Sequence, residues 1–251
     1  METQTVLEGQ YAIAPTPKYY EGYAFAGWDK DFYNVKEDLT VKATYVAGEN
    51  KYAGKTFSII GDSISTYQDY VPAGYATFYP YPSADVNDVN QTWWMQSINK
   101  LGASLYINNS YSGSCVADDG SSSSSNKGRL QNLVLNGKSA DVIVIFMGSN
   151  DARSIQVGTG ITEASFNQKY GVMIETIYEL CGEDVEIILC TLPTSKLYND
   201  ANKEKVNNVI NNYASQYELQ VIDFASLDIS EYLCDSAHPL TSGMTIMANK
   251  V

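Results

Sequence analysis

Residues 142–147 read Val-Ile-Val-Ile-Phe-Met, six apolar side chains in succession, of which four are β-branched. A strand with one face in water alternates polar and apolar residues. An unbroken run bounded by polar residues is the mark of a strand covered on both faces. The same grammar recurs in KTFSIIG (55–61), SLYINN (104–109), VEIILCTLP (185–193) and LQVIDF (219–224).

Between these runs lie segments of helical period: TWWMQSINKLG (92–102), EASFNQKYGVMIETIYELCG (163–182) and NKEKVNNVINNYASQYE (202–218). LTSGMTIMANKV (240–251) reads as the start of a last helix that is cut short. Apolar strands alternating with helices predict βαβ units, a parallel sheet and helices on both of its faces. The expected architecture is α/β, a three-layer α/β/α sandwich around a parallel five-stranded sheet of flavodoxin-like type. Residues 1–48 have a different grammar, with short strand-like stretches TQTVLEG, YAIAP, GYAFAGWD and LTVKATYV and no helical period. This region is expected to form a small β-rich module, joined by a Gly-rich polar linker (49–55) to a domain over 56–251. The serines at 121–125 read as a mobile surface loop.

The chain of 251 residues carries 16 basic against 29 acidic residues, a net charge of −13. Nucleic acids and anionic membrane surfaces both require a basic footprint, so neither is an expected partner. No apolar stretch approaches the 18 residues that suggest a membrane span, so no membrane insertion is expected. The first residues, METQTVLEG, lack the cationic and apolar parts of a signal peptide. Four cysteines (Cys115, Cys181, Cys190, Cys234) show no CxxC spacing, and there is one histidine. Neither a metal site nor a cofactor is expected, and the cysteines read as buried thiols, with disulfides left open.

In an open parallel sheet, ligands bind beyond the carboxyl ends of the strands. Those ends read Gly61-Asp62-Ser63, NNSYSG to Gly113, Gly148-Ser149-Asn150-Asp151, Thr191-Leu192-Pro193 and, past the fifth strand, Asp235-Ser236-Ala237-His238. Each has a structural reading by itself, as a turn or a helix cap. Together they place one nucleophile candidate, two polar turns and the sole histidine on one sheet edge.

GDSIS, the glycine of NNSYSG, GSND and DSAH stand in the order and spacing of the SGNH (GDSL) esterase and lipase superfamily, which residues 55–251 resemble. The resemblance implies Ser63 as nucleophile, Gly113 and Asn150 with Ser63 as oxyanion-hole members, and Asp235 and His238 as the rest of a triad. Chemistry agrees with this assignment. An ester carbonyl needs a nucleophile, a base for its proton, and donors where negative charge develops. His238 is the one imidazole available as base near neutral pH, and Asp235, three residues earlier, is placed to orient it. Glycine at 113 would let the backbone approach closely. Asp62 and Asp151 are read as structural, holding their turns by side-chain to backbone hydrogen bonds.

GYAFAGWDKDFYNVKEDLTVKATY resembles the small β-grasp-like Listeria–Bacteroides repeat of bacterial surface proteins. That resemblance implies an extracellular or cell-surface protein, a repeat begun in a longer chain, and surface attachment through it. The leading functional expectation is a serine esterase removing acyl, foremost acetyl, groups from carbohydrates or other small-molecule esters. The sugar part rests on Tyr67, Tyr70, Tyr79, Tyr81, Trp93 and Trp94, with at least one tryptophan expected in the core. The alternatives are a lipid or short-acyl esterase or thioesterase, a carbohydrate-binding or adhesion protein on a degenerate hydrolase fold, and a flavodoxin-like nucleotide binder. Against the last, GDSIS places an acidic residue where phosphate oxygens would sit.

Overall fold

The five apolar runs become five parallel strands in one sheet: β3 (Thr56–Gly61), β4 (Ser104–Asn108), β5 (Val142–Phe146), β6 (Glu186–Cys190) and β7 (Gln220–Ile222). The computed structural model describes residues 3–9, 12, 17, 18, 20, 22–30, 32, 35–48 and 50–251. Strand order is β4-β3-β5-β6-β7, so the chain starts inside the sheet, adds β4 on one side and then builds outward on the other. The strand order reverses between β4 and β5, the two neighbours of β3, and crevices at such reversals are where open α/β sheets bind ligands. β5 is buried at every residue because it lies at the middle of the sheet, which is why its sequence has no alternation.

Among the described residues six helices accompany the sheet: α1 (Trp93–Lys100), α2 (Lys127–Leu130), α3 (Ser149–Val157), α4 (Glu163–Cys181), α5 (Asp200–Gln216) and α6 (Thr241–Ala248). Helix α4 starts on a capping box, in which the Thr162 side chain accepts from the Ser165 N–H and the Ser165 side chain accepts from the Thr162 N–H. Helix α1 is capped by Thr92 and turns both Trp93 and Trp94 into the core, where Trp93 stands edge-on to Phe146 at 5.7 Å and to Phe224 at 5.6 Å. Trp93, Trp94 and Tyr79 are therefore withdrawn from the set of aromatic residues expected to meet a sugar.

The Ser-rich stretch also differs from expectation. Ser123, Ser124 and Ser125 are buried. The hydroxyls of Ser123 and Ser125 both donate to the Val116 carbonyl, at 2.8 and 2.9 Å, and the Ser124 N–H donates to Cys115 O at 3.0 Å. Composition marks such serines as exposed, but their small hydroxyls here satisfy a neighbouring carbonyl and let the loop pack inward. The four cysteines are unpaired, with Cys115 and Cys190 buried.

Near the N-terminus, β1 (Tyr23–Trp28) and β2 (Ala43–Ala47) form an antiparallel pair with an irregularity between Phe25 and Gly27. An aromatic cluster holds it: Tyr45 meets Tyr20 at 4.9 Å and Phe25 at 5.8 Å. GYAFAGWD and LTVKATYV thus supply strands, whereas residues 3–9 form none; the strand expected in YAIAP lies outside the described residues. In TQTVLEG the two apolar residues, Val6 and Leu7, are adjacent and do not alternate with polar ones, and Leu7 is exposed, so the stretch offers no apolar face of strand period.

Candidate active site

The strand β3 ends at Gly61, and the chain at once enters a single 3-10 turn, Ser63–Ser65, capped by Asp62. Asp62 Oδ1 accepts the Ile64 N–H at 3.0 Å, which fixes the turn and presents Ser63 at its first position. The N–H of a first helical residue has no partner within its own turn, so that of Ser63 is free to meet a ligand oxygen. Gly61 is required by crowding. A Cβ there would lie 2.5 Å from Ser65 Cβ and 2.9 Å from Ser110 Oγ, too close for any side chain.

The loop 234–240 brings His238 to Ser63 from 175 residues away. His238 Nε2 lies 2.8 Å from Ser63 Oγ, and His238 Nδ1 lies 2.7 Å from Asp235 Oδ2. Because an ionised carboxylate can only accept, Nδ1 carries the proton and the Nε2 lone pair faces the serine hydroxyl. The other carboxylate oxygen of Asp235 accepts the N–H groups of Ala237 (2.7 Å) and His238 (2.8 Å). Burial works to raise the Asp235 pKa, but these two N–H groups and the imidazole outweigh it and hold the carboxyl below its usual range. For His238 burial dominates over the pull of Asp235, and its pKa lies below the ordinary imidazole value. The imidazole is thus held neutral and able to accept a proton.

Gly113 follows β4 with φ +79°. Apart from its chain neighbours, no protein atom stands within 4 Å of where its Cβ would be, so the left-handed backbone, not crowding by the protein, calls for glycine, and the backbone is left open to close approach by a ligand. Asn150 lies in the first turn of α3, whose N-cap is Gly148 with no side-chain cap. Its Nδ2 donates to Ser114 O at 3.0 Å, which ties α3 to the residue next to Gly113. The structure therefore brings Ser63, His238 and Asp235 into one hydrogen-bonded line, and joins Asn150 to the Gly113 loop. Strands β3, β4 and β5, adjacent in the sheet, carry Ser63, Gly113 and Asn150 just past their ends.

Beneath the turn lies a polar layer in which Asp62 and Asp151 make the side-chain to backbone hydrogen bonds expected of them, and to which Arg129, unmarked in the sequence, is added. Asp151, fully buried, accepts the N–H groups of Val116 (3.0 Å) and Ala117 (2.9 Å), and so holds the far end of the Gly113 loop. Burial pushes the carboxyls of Asp62 and Asp151 each up to about 6. Arg129 is also buried, and its guanidinium donates to carbonyls of three segments: Gly61 (2.8 Å), Asn109 (2.8 Å) and Ser122 (2.5 Å). Its charge is spread over main-chain oxygens, and burial lowers its pKa only to about 10, so it stays cationic at neutral pH. Two aromatic pairs belong to segments that meet these residues: Tyr111, two residues before Gly113, against Tyr75 at 4.8 Å, and Phe78, which lies on the His238 ring, against Tyr81 at 4.7 Å. Among the described residues no group of acidic, cysteine and histidine side chains is arranged to hold a metal ion.

A parallel sheet with this strand order, carrying a serine hydrogen-bonded to a histidine at its carboxyl edge, is the frame of an α/β hydrolase of SGNH type. Residues 55–251 match the family described as GDSL-like Lipase/Acylhydrolase, and the chain belongs to that family. It is an ester hydrolase. The adhesion-only and nucleotide-binding readings fall with that membership.

Among solved structures, a protein described as a GDSL-like lipase from Bacteroides ovatus is 25% identical, with a TM-score of 0.61 over 79% of this chain and 96% of its own. A second, so described from Bacteroides uniformis, is 27% identical with a TM-score of 0.61 over 78% and 93%. The acetylxylan esterase Axe2 of Geobacillus stearothermophilus shares the fold at 20% identity, with a TM-score of 0.56 over 80% and 94%. No curated protein sequence matches the chain.

Proposed function

We propose that the protein is a serine esterase that removes short acyl groups, foremost acetyl, from carbohydrate esters through an acyl-enzyme. The observation that carries the mechanism is the line Asp235–His238–Ser63, with contacts of 2.7 and 2.8 Å. Ser63 Oγ attacks the ester carbonyl as its proton passes to His238 Nε2. Asp235 holds the imidazolium through Nδ1–H. The carbonyl oxygen, now negative, is met by the N–H groups of Ser63 and Gly113 and by the Asn150 amide. Collapse expels the alcohol, which takes the proton from His238. Water then enters, gives a proton to the same nitrogen and attacks the acyl carbon, and release of the acid restores Ser63.

Two observations support the short acyl group and the sugar. The neighbours that the contacts place at the site are aromatic or polar: Phe78 stacks on His238 with Tyr81 behind it, and Asn150 reaches the Gly113 loop. Tyr81 is exposed, and a flat aromatic face with a polar edge suits a sugar ring. The named activity of Axe2 is in keeping with this choice, although that likeness concerns the fold alone. A methylene buried on binding contributes about 0.8 kcal/mol, and this site offers little surface to gain it from. Rates on p-nitrophenyl esters are therefore expected to fall from acetate to octanoate, and acetylated xylo-oligosaccharides to be deacetylated. Rates that climb with chain length would favour a lipid esterase.

The N-terminal hairpin is proposed as a separate attachment, in keeping with the similarity of residues 22–45 to surface repeats and with an extracellular or cell-surface location. None of its described residues reaches Ser63. A chain beginning at Lys51 is expected to hydrolyse p-nitrophenyl acetate with unchanged kcat. A folded truncation with reduced kcat would show that the hairpin shapes the site.

A further inference from the structure

His238 stands on a loop with no regular structure, where Asp235 and Ser236 are exposed. Its two ring hydrogen bonds, to Asp235 and Ser63, run outward from the two nitrogens in the ring plane. Such bonds tolerate a broad range of angles, so they locate the nitrogens but leave the ring able to rock about the line that joins them. Something else must set its tilt. The ring of Phe78 lies on the imidazole with centroids 3.4 Å apart and planes only 5° from parallel. Tyr81 stacks on Phe78 in turn at 4.7 Å, and Tyr79 meets the imidazole edge-on at 6.3 Å.

The segment that carries Phe78 is bonded to both halves of the site. The Phe78 N–H donates to Thr66 Oγ1 at 2.8 Å, and that hydroxyl donates to the Ser63 carbonyl at 2.9 Å. On the other side Tyr79 OH donates to Pro239 O at 2.7 Å, one residue past His238. Phe78 is thus anchored to the nucleophile turn and to the histidine loop at once. Building on the proposed Ser63–His238 chemistry, the geometry points to Phe78 as a positioning residue that fixes the plane of the catalytic imidazole and keeps water from one ring face. The other titratable neighbours are Asp235 and Cys234 on the same loop, Tyr79 and Tyr81 on the aromatic segment, and Asp62 beneath Ser63.

The sole histidine of the chain makes the test direct, because His238 gives the only imidazole signals in a proton NMR spectrum of the whole protein. In the native protein its ring protons are expected upfield of ordinary imidazole positions through the Phe78 ring current. Phe78→Leu and Phe78→Ala should abolish that displacement, and Phe78→Tyr should retain it. With p-nitrophenyl acetate, Phe78→Leu and Phe78→Ala should lower kcat about 10- to 100-fold, as for a displaced catalytic group, with little change in KM. Phe78→Tyr should restore kcat. In Phe78→Ala the NMR-titrated pKa of His238 should also rise toward the ordinary value near 6.5 as water reaches the ring. The NMR titration reads His238 by itself, apart from Asp62 and Asp151, whose carboxyls burial pushes up to about 6. If Phe78→Ala does not fold, the Leu and Tyr variants decide. A folded Phe78→Leu with native kcat, or with unmoved imidazole signals, overturns the role of Phe78. Failure of the esterase reading would show differently, as hydrolysis that survives Ser63→Ala while the ring-current result stands.

Discussion

Replacing His238 by alanine should lower kcat by ~10³-fold or more and leave the fold intact, since losing the base of such a constellation removes most of its advantage. The side chain is not part of the apolar core, so circular dichroism and melting temperature should stay near native. The pH profile adds a second constraint. A base must be neutral to accept a proton, and burial lowers the pKa of His238. The neutral form therefore persists to lower pH than for a free imidazole, and the acid limb of kcat/KM should lie below about 6.5. A His238→Ala protein that kept more than a tenth of the native rate would mean that another group takes the proton.

Asn150→Ala separates a chemical from a structural role. A cap is no longer the competing explanation, because Gly148 occupies the N-cap of α3 and the Asn150 amide instead reaches Ser114 O at 3.0 Å. One amide hydrogen serves that tether, which leaves the second for a developing oxyanion. Such a donor matters little to the bound ester and most when the oxygen becomes negative, so kcat should fall roughly 10²–10³-fold with KM nearly constant. A pure tether would lower stability by about 1 kcal/mol and leave kcat unchanged. Kinetics and melting temperature on one preparation distinguish the two.

The fold was legible because burial on both faces erases alternation: 142–147 and 187–190 could hardly be anything but central strands. The strand ends were legible for a related reason, since polar and glycine-rich turns stand out against apolar runs. What escaped is tertiary. The helix 149–157 begins at Gly148 with φ +121°, and its polar residues read as an extended turn. The stack of Phe78 on His238 joins segments 160 residues apart, and YATFYPYP has no period to announce it. Nothing in SSSSSNKGRL marks its arginine, because the carbonyls that bury Arg129 come from the ends of β3 and β4 and from the serine loop. Trp93 and Trp94 misled in part, because helix geometry and not composition decides which face they take.

The central claim is that Ser63 forms a covalent acyl intermediate, and a fluorophosphonate probe tests it by stopping the reaction at that stage. Incubation followed by peptide mass spectrometry should find one adduct per chain, on Ser63, with esterase activity lost in step with labelling and no adduct in Ser63→Ala or His238→Ala. Stoichiometric labelling of a different serine, or inactivation with Ser63 unmodified, would contradict the account.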